Sequence, residues 1–195
     1  MNRIPSLELR RKIAHIILVL LYAGALWLGA GWQGTLVLLA LAAIVAAAYA
    51  LTSKRKRPFF AFLLDLVERE EHRAIIPAKN VLSLLTAGLI ATLILPKTAV
   101  VAGFLVLALG DPVAFLVGTG IGKLQVPWNK RKHVEGRLAA ILVCTPVLAV
   151  LYPWPIALLG AAMGMLFESV HYPHDSLVDD NLLVPLATAA LLALL

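Results

Sequence analysis

Long apolar runs separated by short polar clusters organise this chain. A helix needs about 20 mostly apolar residues to cross a bilayer, and shorter ones are tolerated inside a bundle. The runs at residues 12–30, 33–51, 80–95, 99–121, 137–152, 155–171 and 181–195 are candidates. The stretch 58–66 is too short to cross, and its aromatic side chains predict an amphipathic helix in the membrane interface. The pattern therefore predicts an all-α bundle of about seven transmembrane helices, forming one membrane domain over residues 1–195.

The distribution of basic residues predicts the orientation. Of the 17 Lys and Arg residues, only Lys97 lies outside the segments 1–12, 52–79 and 119–137. Basic residues concentrate on the cytoplasmic side of membrane proteins. We therefore expect an integral membrane protein with its N-terminus and polar clusters in the cytoplasm. A net charge of +6 also occurs in nucleic-acid-binding proteins, but the membrane explains its distribution and we expect no nucleic acid partner.

Polar residues near the N-terminus share one helix face at i, i+3, i+4 and i+7: Glu8, Arg11, Lys12 and His15. The basic residues alone fit a cytoplasmic anchor. His15 lies one turn into an apolar run, where ionisable groups are usually functional or paired. A second mixed-charge run, 68–73, fits a solvated surface, or Arg73 or the nearby Lys79 could contact a substrate phosphate.

Asp111 follows a long apolar run, where an unpaired carboxylate is costly. Pro112 has no N–H and disfavours helical geometry at the residue before it. We therefore predict that the helix is broken at Gly110–Pro112 and that Asp111 caps a second half-helix. A capped kink without function is the alternative.

Two further segments suit phosphate binding. The glycines at 118, 120 and 122, followed by Lys123, predict a loop whose backbone approaches an anion, unless they serve helix packing. The basic segment 129–137 contains Glu135 and suits a polyphosphate with its metal, or else is a basic cytoplasmic loop.

Acidic residues gather before the last apolar run. Glu168 and His171 have the i, i+3 spacing of a carboxylate–histidine metal pair, although no second copy is visible. Asp179, Asp180 and Asn181 offer oxygen ligands of the kind that Mg²⁺ prefers. Helix capping by Asp180 or Asn181 is the alternative. The single cysteine, Cys144, lies in an apolar run and is expected to be a buried small residue.

Four segments together resemble the CTP-dependent polyprenol kinase family, which contains dolichol, phytol, farnesol and fungal-type diacylglycerol kinases. The family motifs are E-x-x-R-K-x-x-H, G-D-x-x-A…G-x-x-x-G-K, K-S-x-E-G and D-D-N-x-x-x-P. Their counterparts are Glu8-x-x-Arg11-Lys12-x-x-His15, Gly110-Asp111-Pro112-Val113-Ala114 with Gly118 and Gly122-Lys123, Lys132-His133-Val134-Glu135-Gly136, and Asp179-Asp180-Asn181-Leu182-x-x-Pro185. The chain departs from the family at His133, usually Ser, at Arg137, usually small, and at Thr119, where an arginine is often found nearby.

The resemblance implies transfer of the CTP γ-phosphate to the hydroxyl of a lipid alcohol, a polyprenol, dolichol or phytol, with Mg²⁺ as cofactor. The products are the lipid monophosphate and CDP. It implies catalytic roles for Asp111, His15, Lys132 and Glu135. Phosphate-binding residues would be Gly118, Gly120, Gly122, Lys123, Arg131, Lys132 and Gly136. Metal ligands would come from Asp111, Glu135, Asp179, Asp180 and Asn181, and further site candidates are Glu8, Arg11, Lys12, Arg73 and Glu168.

Two other functions stay open at this point. The related phosphatidate cytidylyltransferases also use CTP and form a CDP-lipid. A small transporter could use Asp111 in a broken helix. The expected partners are CTP, the lipid alcohol and the bilayer, and the sequence leaves a homo-oligomer open.

Overall fold

The computed structural model describes residues 6–29, 31–36, 39–40, 43, 79–173, 176 and 178–195, and this part is mostly helical. Residues 31–36 are helical. The other elements, in chain order, are α1 Ser6–Leu28, α2 Lys79–Ile94, α3 Lys97–Ile121, β1 Gln125–Val126, β2 Asn129–His133, α4 Val134–Leu148, α5 Trp154–Glu168 and α6 Asp180–Leu194.

Helices occupy six of the seven predicted positions, within a few residues of the expected bounds. Two helical segments, Glu8–Leu28 and Lys97–Ile121, are long and apolar enough to cross a membrane. The apolar helices α2, α5 and α6 are shorter. The predicted span 33–51 lies largely outside the described residues, and the interfacial helix at 58–66 lies wholly outside them.

Helix α3 forms the centre of the bundle and packs against α1, α4, α5 and α6, while α2 packs mainly on α6. Its side chains Phe104, Val106 and Leu107 are fully buried. Close approach depends on small residues, because a methyl group at Gly136 of α4 would collide with the backbone carbonyl of Ala114. Glycine at a helix crossing therefore lets α4 reach the half of α3 that carries Asp111.

The predicted break at Gly110–Pro112 is wrong, because α3 is continuous through it. Asp111 is therefore an interior helix residue and not a cap. A proline inside a helix costs one backbone hydrogen bond, but packing against neighbouring helices can hold it in place. Pro112 is buried in α3, and helices α4 and α6 also contain internal prolines, Pro146 and Pro185.

The predicted glycine loop is also wrong, since Gly118 and Gly120 belong to α3 and Gly122 is its C-cap. The alternative of helix packing fits Gly118, which faces the Cα of Gly136. The chain then enters an antiparallel β-hairpin that pairs Gln125 with His133, a detail absent from the all-α prediction.

The hairpin is attached to the end of α5. Trp128 donates its indole N–H to the Ser169 hydroxyl at 2.9 Å, and the Asn129 amide donates to the Ser169 carbonyl at 3.0 Å. These bonds place β2, and Lys132 within it, beside Glu168. The connection is between residues about 40 positions apart, which local patterns do not predict.

Ionisable side chains gather at one end of the bundle, where α3 and α5 end and α4 and α6 begin. We call it the polar end. At the opposite end the Lys97 ammonium lies 5.3 Å from the centre of the Trp27 ring, and the Tyr152 hydroxyl donates a hydrogen bond to the Thr98 hydroxyl. Large apolar side chains such as Leu21, Leu93 and Leu142 are exposed on the outside of the bundle, which suits a membrane protein.

Candidate functional site

An ion pair between α1 and α3 lies at the centre of the polar end. The Lys12 ammonium is 2.7 and 2.5 Å from the two carboxylate oxygens of Asp111, although the residues are 99 positions apart. Only 19% of the Lys12 side chain and 13% of the Asp111 side chain are exposed. The ammonium also lies 5.3 Å from the ring centre of Phe115. This pairing is how the chain accommodates a carboxylate in an apolar helix.

The polar side of α1 near its N-terminus lies beside the Asp111 carboxylate. His15 Nε2 lies 4.0 Å from an Asp111 oxygen and has no hydrogen-bond partner among the residues that the structure describes. One turn earlier, Arg11 bonds Glu8 at 2.9 Å. The predicted common face of these four residues is confirmed.

A second charged cluster surrounds Glu168 at the end of α5. Its side chain is 4% exposed, and its two oxygens accept from different cations, Lys132 at 2.6 Å and Arg137 at 2.7 Å. The Lys132 ammonium also bonds the Glu168 carbonyl and lies 4.0 Å from Asp180. Arg137 further donates to the His133 carbonyl at 2.7 Å. Glu168 thus fixes both cations in one orientation.

Glu135 has a different place from the one that the resemblance implies. Its carboxylate accepts backbone N–H bonds from Lys123 at 2.9 Å and from Leu124 at 2.9 and 3.2 Å. Its own backbone N–H and those of the other two residues lower the pKa of this carboxyl. Glu135 therefore joins the end of α3 to the start of α4 across the hairpin.

The acidic residues before α6 divide into two roles. Asp179 is the N-cap of α6, its carboxylate accepting from the Leu182 N–H at 3.2 Å, so the cap is one residue earlier than the alternative considered from sequence. Burial and the neighbouring Asp180 raise the pKa of Asp179 to about 7. Asp180 and the buried Asn181 line the pockets described next.

Two pockets meet at the Lys12–Asp111 pair, and Asp180 also lines both. The first lies between α1, α2 and α6, with lining residues that include Glu8, Arg11, His15, Leu18, Asn80, Val81, Leu84 and Asn181. The second lies between α3, the hairpin, α4 and α5, with lining residues that include Phe115, Gly118, Thr119, Lys132, His133, Arg137 and Glu168.

Three carboxylates approach one another across these pockets. One oxygen each of Asp111, Glu168 and Asp180 lies within 4.8 Å of the others. Carboxylate oxygens are hard ligands of the type that binds Mg²⁺. These three carboxylates could hold a divalent cation. Asp111 and Asp180 were expected among its ligands from sequence, whereas Glu168 lies in the group and Glu135 and Asp179 do not.

Several predicted site residues lie apart from the pockets in the described structure. These are Gly120, Gly122, Lys123, Arg131, Glu135, Gly136 and Asp179. Arg131 is exposed on β2, and Gly120 faces open space. Arg73 lies outside the described residues. Lys79, the other basic residue considered near that run, is buried and donates to the Pro173 carbonyl at 3.4 Å.

Arg137 ends the basic segment 129–137 but was not among the individual site residues predicted from sequence, and its pairing with Glu168 was not foreseen. A signal was present. Arg137 and Glu168 lie at equal sequence distances from the Tyr152–Pro153 bond, at the turn between two antiparallel helices. Residues placed symmetrically about such a turn face each other, so an opposite-charge pair there could have been predicted.

No protein-family model matches the chain, and no curated protein or solved structure gives a significant match. The function is therefore inferred from the chemistry of the site and from the motifs.

Proposed function

We propose that the chain is a CTP-dependent kinase of a lipid alcohol, built on about seven transmembrane helices with its polar end in the cytoplasm. The observation that carries the proposal is the meeting of separate motif segments around Asp111. Lys12 comes from the first segment, Lys132 from the third and Asp180 from the fourth. CTP as the nucleotide and isoprenoid alcohols as the acceptor class follow from the motif resemblance.

The two pockets suit two different substrates. The first combines the apolar side chains Leu18, Val81 and Leu84 with His15 and Asp111, which suits a hydroxyl attached to a hydrocarbon tail. The second presents Lys132 and other cations, which suits the phosphates of a nucleotide. Because Asp111 lines both, the hydroxyl and the γ-phosphate would meet beside it, the alignment that phosphoryl transfer needs.

Asp111 then acts as the acceptor of the hydroxyl proton. The lipid oxygen bonds the γ-phosphorus, the bond from that phosphorus to the bridging oxygen breaks, and CDP leaves. Lys12 keeps Asp111 ionised beforehand, and Lys132 offsets charge on the phosphates. Asp180 and Glu168 would hold Mg²⁺, which when bound supplies further positive charge to the phosphate oxygens.

His15 takes a positioning role in this scheme. Its Nε2 makes no hydrogen bond to any residue that the structure describes, and His15 lines the first pocket. It would orient the lipid hydroxyl toward Asp111. The continuous α3 removes the broken helix on which the transporter alternative depended.

The test is transfer of label from CTP to lipid by purified protein in vesicles containing a panel of isoprenoid and other long-chain alcohols. We expect radioactivity in the lipid from γ-labelled CTP and none from α-labelled CTP. Lipid labelled from the α-position would instead show a cytidylyltransferase. Absence of labelled lipid with any alcohol or nucleotide would contradict both activities.

A further inference from the structure

We propose that Arg137 binds substrate phosphate in the second pocket and that Glu168 occupies its place until the phosphate arrives. This inference rests on the proposed function, since it names a further phosphate-binding residue for the same site. The basic segment 129–137 ends in Arg137, but the resemblance assigns no phosphate-binding role to this position, where the family usually has a small residue.

The surroundings of Arg137 are those of a binding residue. Its side chain is 10% exposed and lines the second pocket. One N–H donates to the His133 carbonyl and one to Glu168, but the buried Nε has no partner among the described residues. A buried donor without an acceptor is destabilising, so an acceptor-rich ligand that reaches the Arg137 Nε would be bound favourably.

The charged residues of the second pocket suit an anionic ligand that can take the place of a carboxylate. The described lining of the second pocket contains three carboxylates and three permanent cations: Asp111, Glu168, Asp180, Lys12, Lys132 and Arg137. Each carboxylate lies within 4.0 Å of one of the cations. The pocket is thus neutralised from within by carboxylate groups that offer the same paired oxygens as a phosphate.

Glu168 is the carboxylate whose displacement frees most positive charge. It binds both Lys132 and Arg137, and its own side chain is only 4% exposed. A polyphosphate could take over both cations in one exchange, with Glu168 then available to a divalent cation that enters with it. Glu168 is accordingly a competitor of the phosphate, as well as a positioning residue for the two cations.

This exchange makes an unusual prediction for Glu168→Gln. If the ion pairs served only to hold the fold, weakening them would leave anion affinity unchanged or lower it. If Glu168 competes with phosphate, the neutral amide holds Lys132 and Arg137 less tightly than the carboxylate does, and anion affinity rises. The glutamine side chain keeps an oxygen that accepts from Arg137, so the local geometry is preserved.

The experiment measures binding of inorganic triphosphate to the full chain in detergent by isothermal titration calorimetry. We expect Arg137→Met to weaken binding about tenfold and Arg137→Lys about threefold, because lysine keeps the charge but loses the planar fork. Glu168→Gln should tighten binding about threefold. Lys130→Met, which removes an exposed cation from the same hairpin, is the matched control and should bind as wild type does.

Folding is checked in each variant by circular dichroism, and Arg137→Lys decides the question if Arg137→Met does not fold. Triphosphate binding that is equal in wild type and both Arg137 variants would overturn the inference. So would looser binding in Glu168→Gln, or no binding by wild type. None of these outcomes depends on the lipid kinase assay, so a failure of the proposed function would be recognised separately by the absence of labelled lipid.

Discussion

Replacing Lys12 with methionine tests whether the Lys12–Asp111 pair holds the polar end together. Methionine keeps the long unbranched side chain but leaves the carboxylate without its cation. The two oxygens now lie 2.5 and 2.7 Å from the ammonium, and 13% of the Asp111 side chain is exposed. Removing one partner of a buried pair costs about 3–5 kcal/mol. Because the Asp111 side chain keeps some contact with solvent, we expect Lys12→Met to lower the free energy of unfolding by the smaller amount, about 3 kcal/mol.

The assay uses the single cysteine of the chain. Cys144 is 1% exposed between packed helices, so a thiol-reactive fluorophore reports unfolding in detergent. A loss of about 3 kcal/mol corresponds to a lower Tm by about 6–12 °C in a protein of this size. Arg10→Met, an exposed change on the same helix, is the control and should shift Tm by little.

A double-mutant cycle isolates the interaction from other effects of each change. Asp111→Asn alone should also destabilise, because the amide cannot neutralise the ammonium. The double variant Lys12→Met with Asp111→Asn has no uncompensated charge and should be more stable than the sum of the single losses, by about 1–3 kcal/mol. Additive losses would refute the reasoning that the pair is what makes Asp111 tolerable in α3.

Three further changes test how the site is built. Gly136→Ala should destabilise by about 1–3 kcal/mol by forcing α4 away from the backbone of α3, whereas Gly120→Ala, which has open space, should not destabilise. Glu135→Gln should lower Tm at neutral pH. The pKa of Glu135 is lower in the folded protein than its ordinary value of 4.5. The difference in Tm between variant and wild type is therefore fully present above pH 4.5, and it disappears as the pH falls through the lowered pKa. Trp128→Phe removes the bond to Ser169 and should cost about 1 kcal/mol in thermal unfolding.

The helices were predictable because continuous apolar runs have few other structures in a membrane or a bundle core. The continuity of α3 could not be predicted. The preference against proline in a helix is a local effect, whereas the packing that overrides it comes from residues distant in sequence. Pro112 is buried in the helix that contacts most of the others, so the bundle holds a turn that Pro112 and Asp111 would disfavour in isolation.

The site residues were easier to predict than their partners. Helical spacing correctly placed Lys12 and His15 on one face, since that depends only on the 3.6-residue turn. Which carboxylate they meet depends on α1 lying against α3, and no local pattern carries that information. For the same reason Glu135 was expected among the metal ligands. It instead binds backbone N–H groups of the hairpin connection, and Glu168 lies in the carboxylate group with Asp111 and Asp180.

The most direct test of the account is transfer of γ-phosphate to a lipid alcohol by wild type and by Asp111→Asn, measured side by side on protein whose folding is verified by protection of Cys144. Loss of a general base commonly lowers turnover by about 10²–10⁴-fold. We predict labelled lipid monophosphate from wild type and a loss of at least about a hundredfold in the folded variant. Near wild-type turnover in a folded Asp111→Asn protein would contradict the central role given to Asp111.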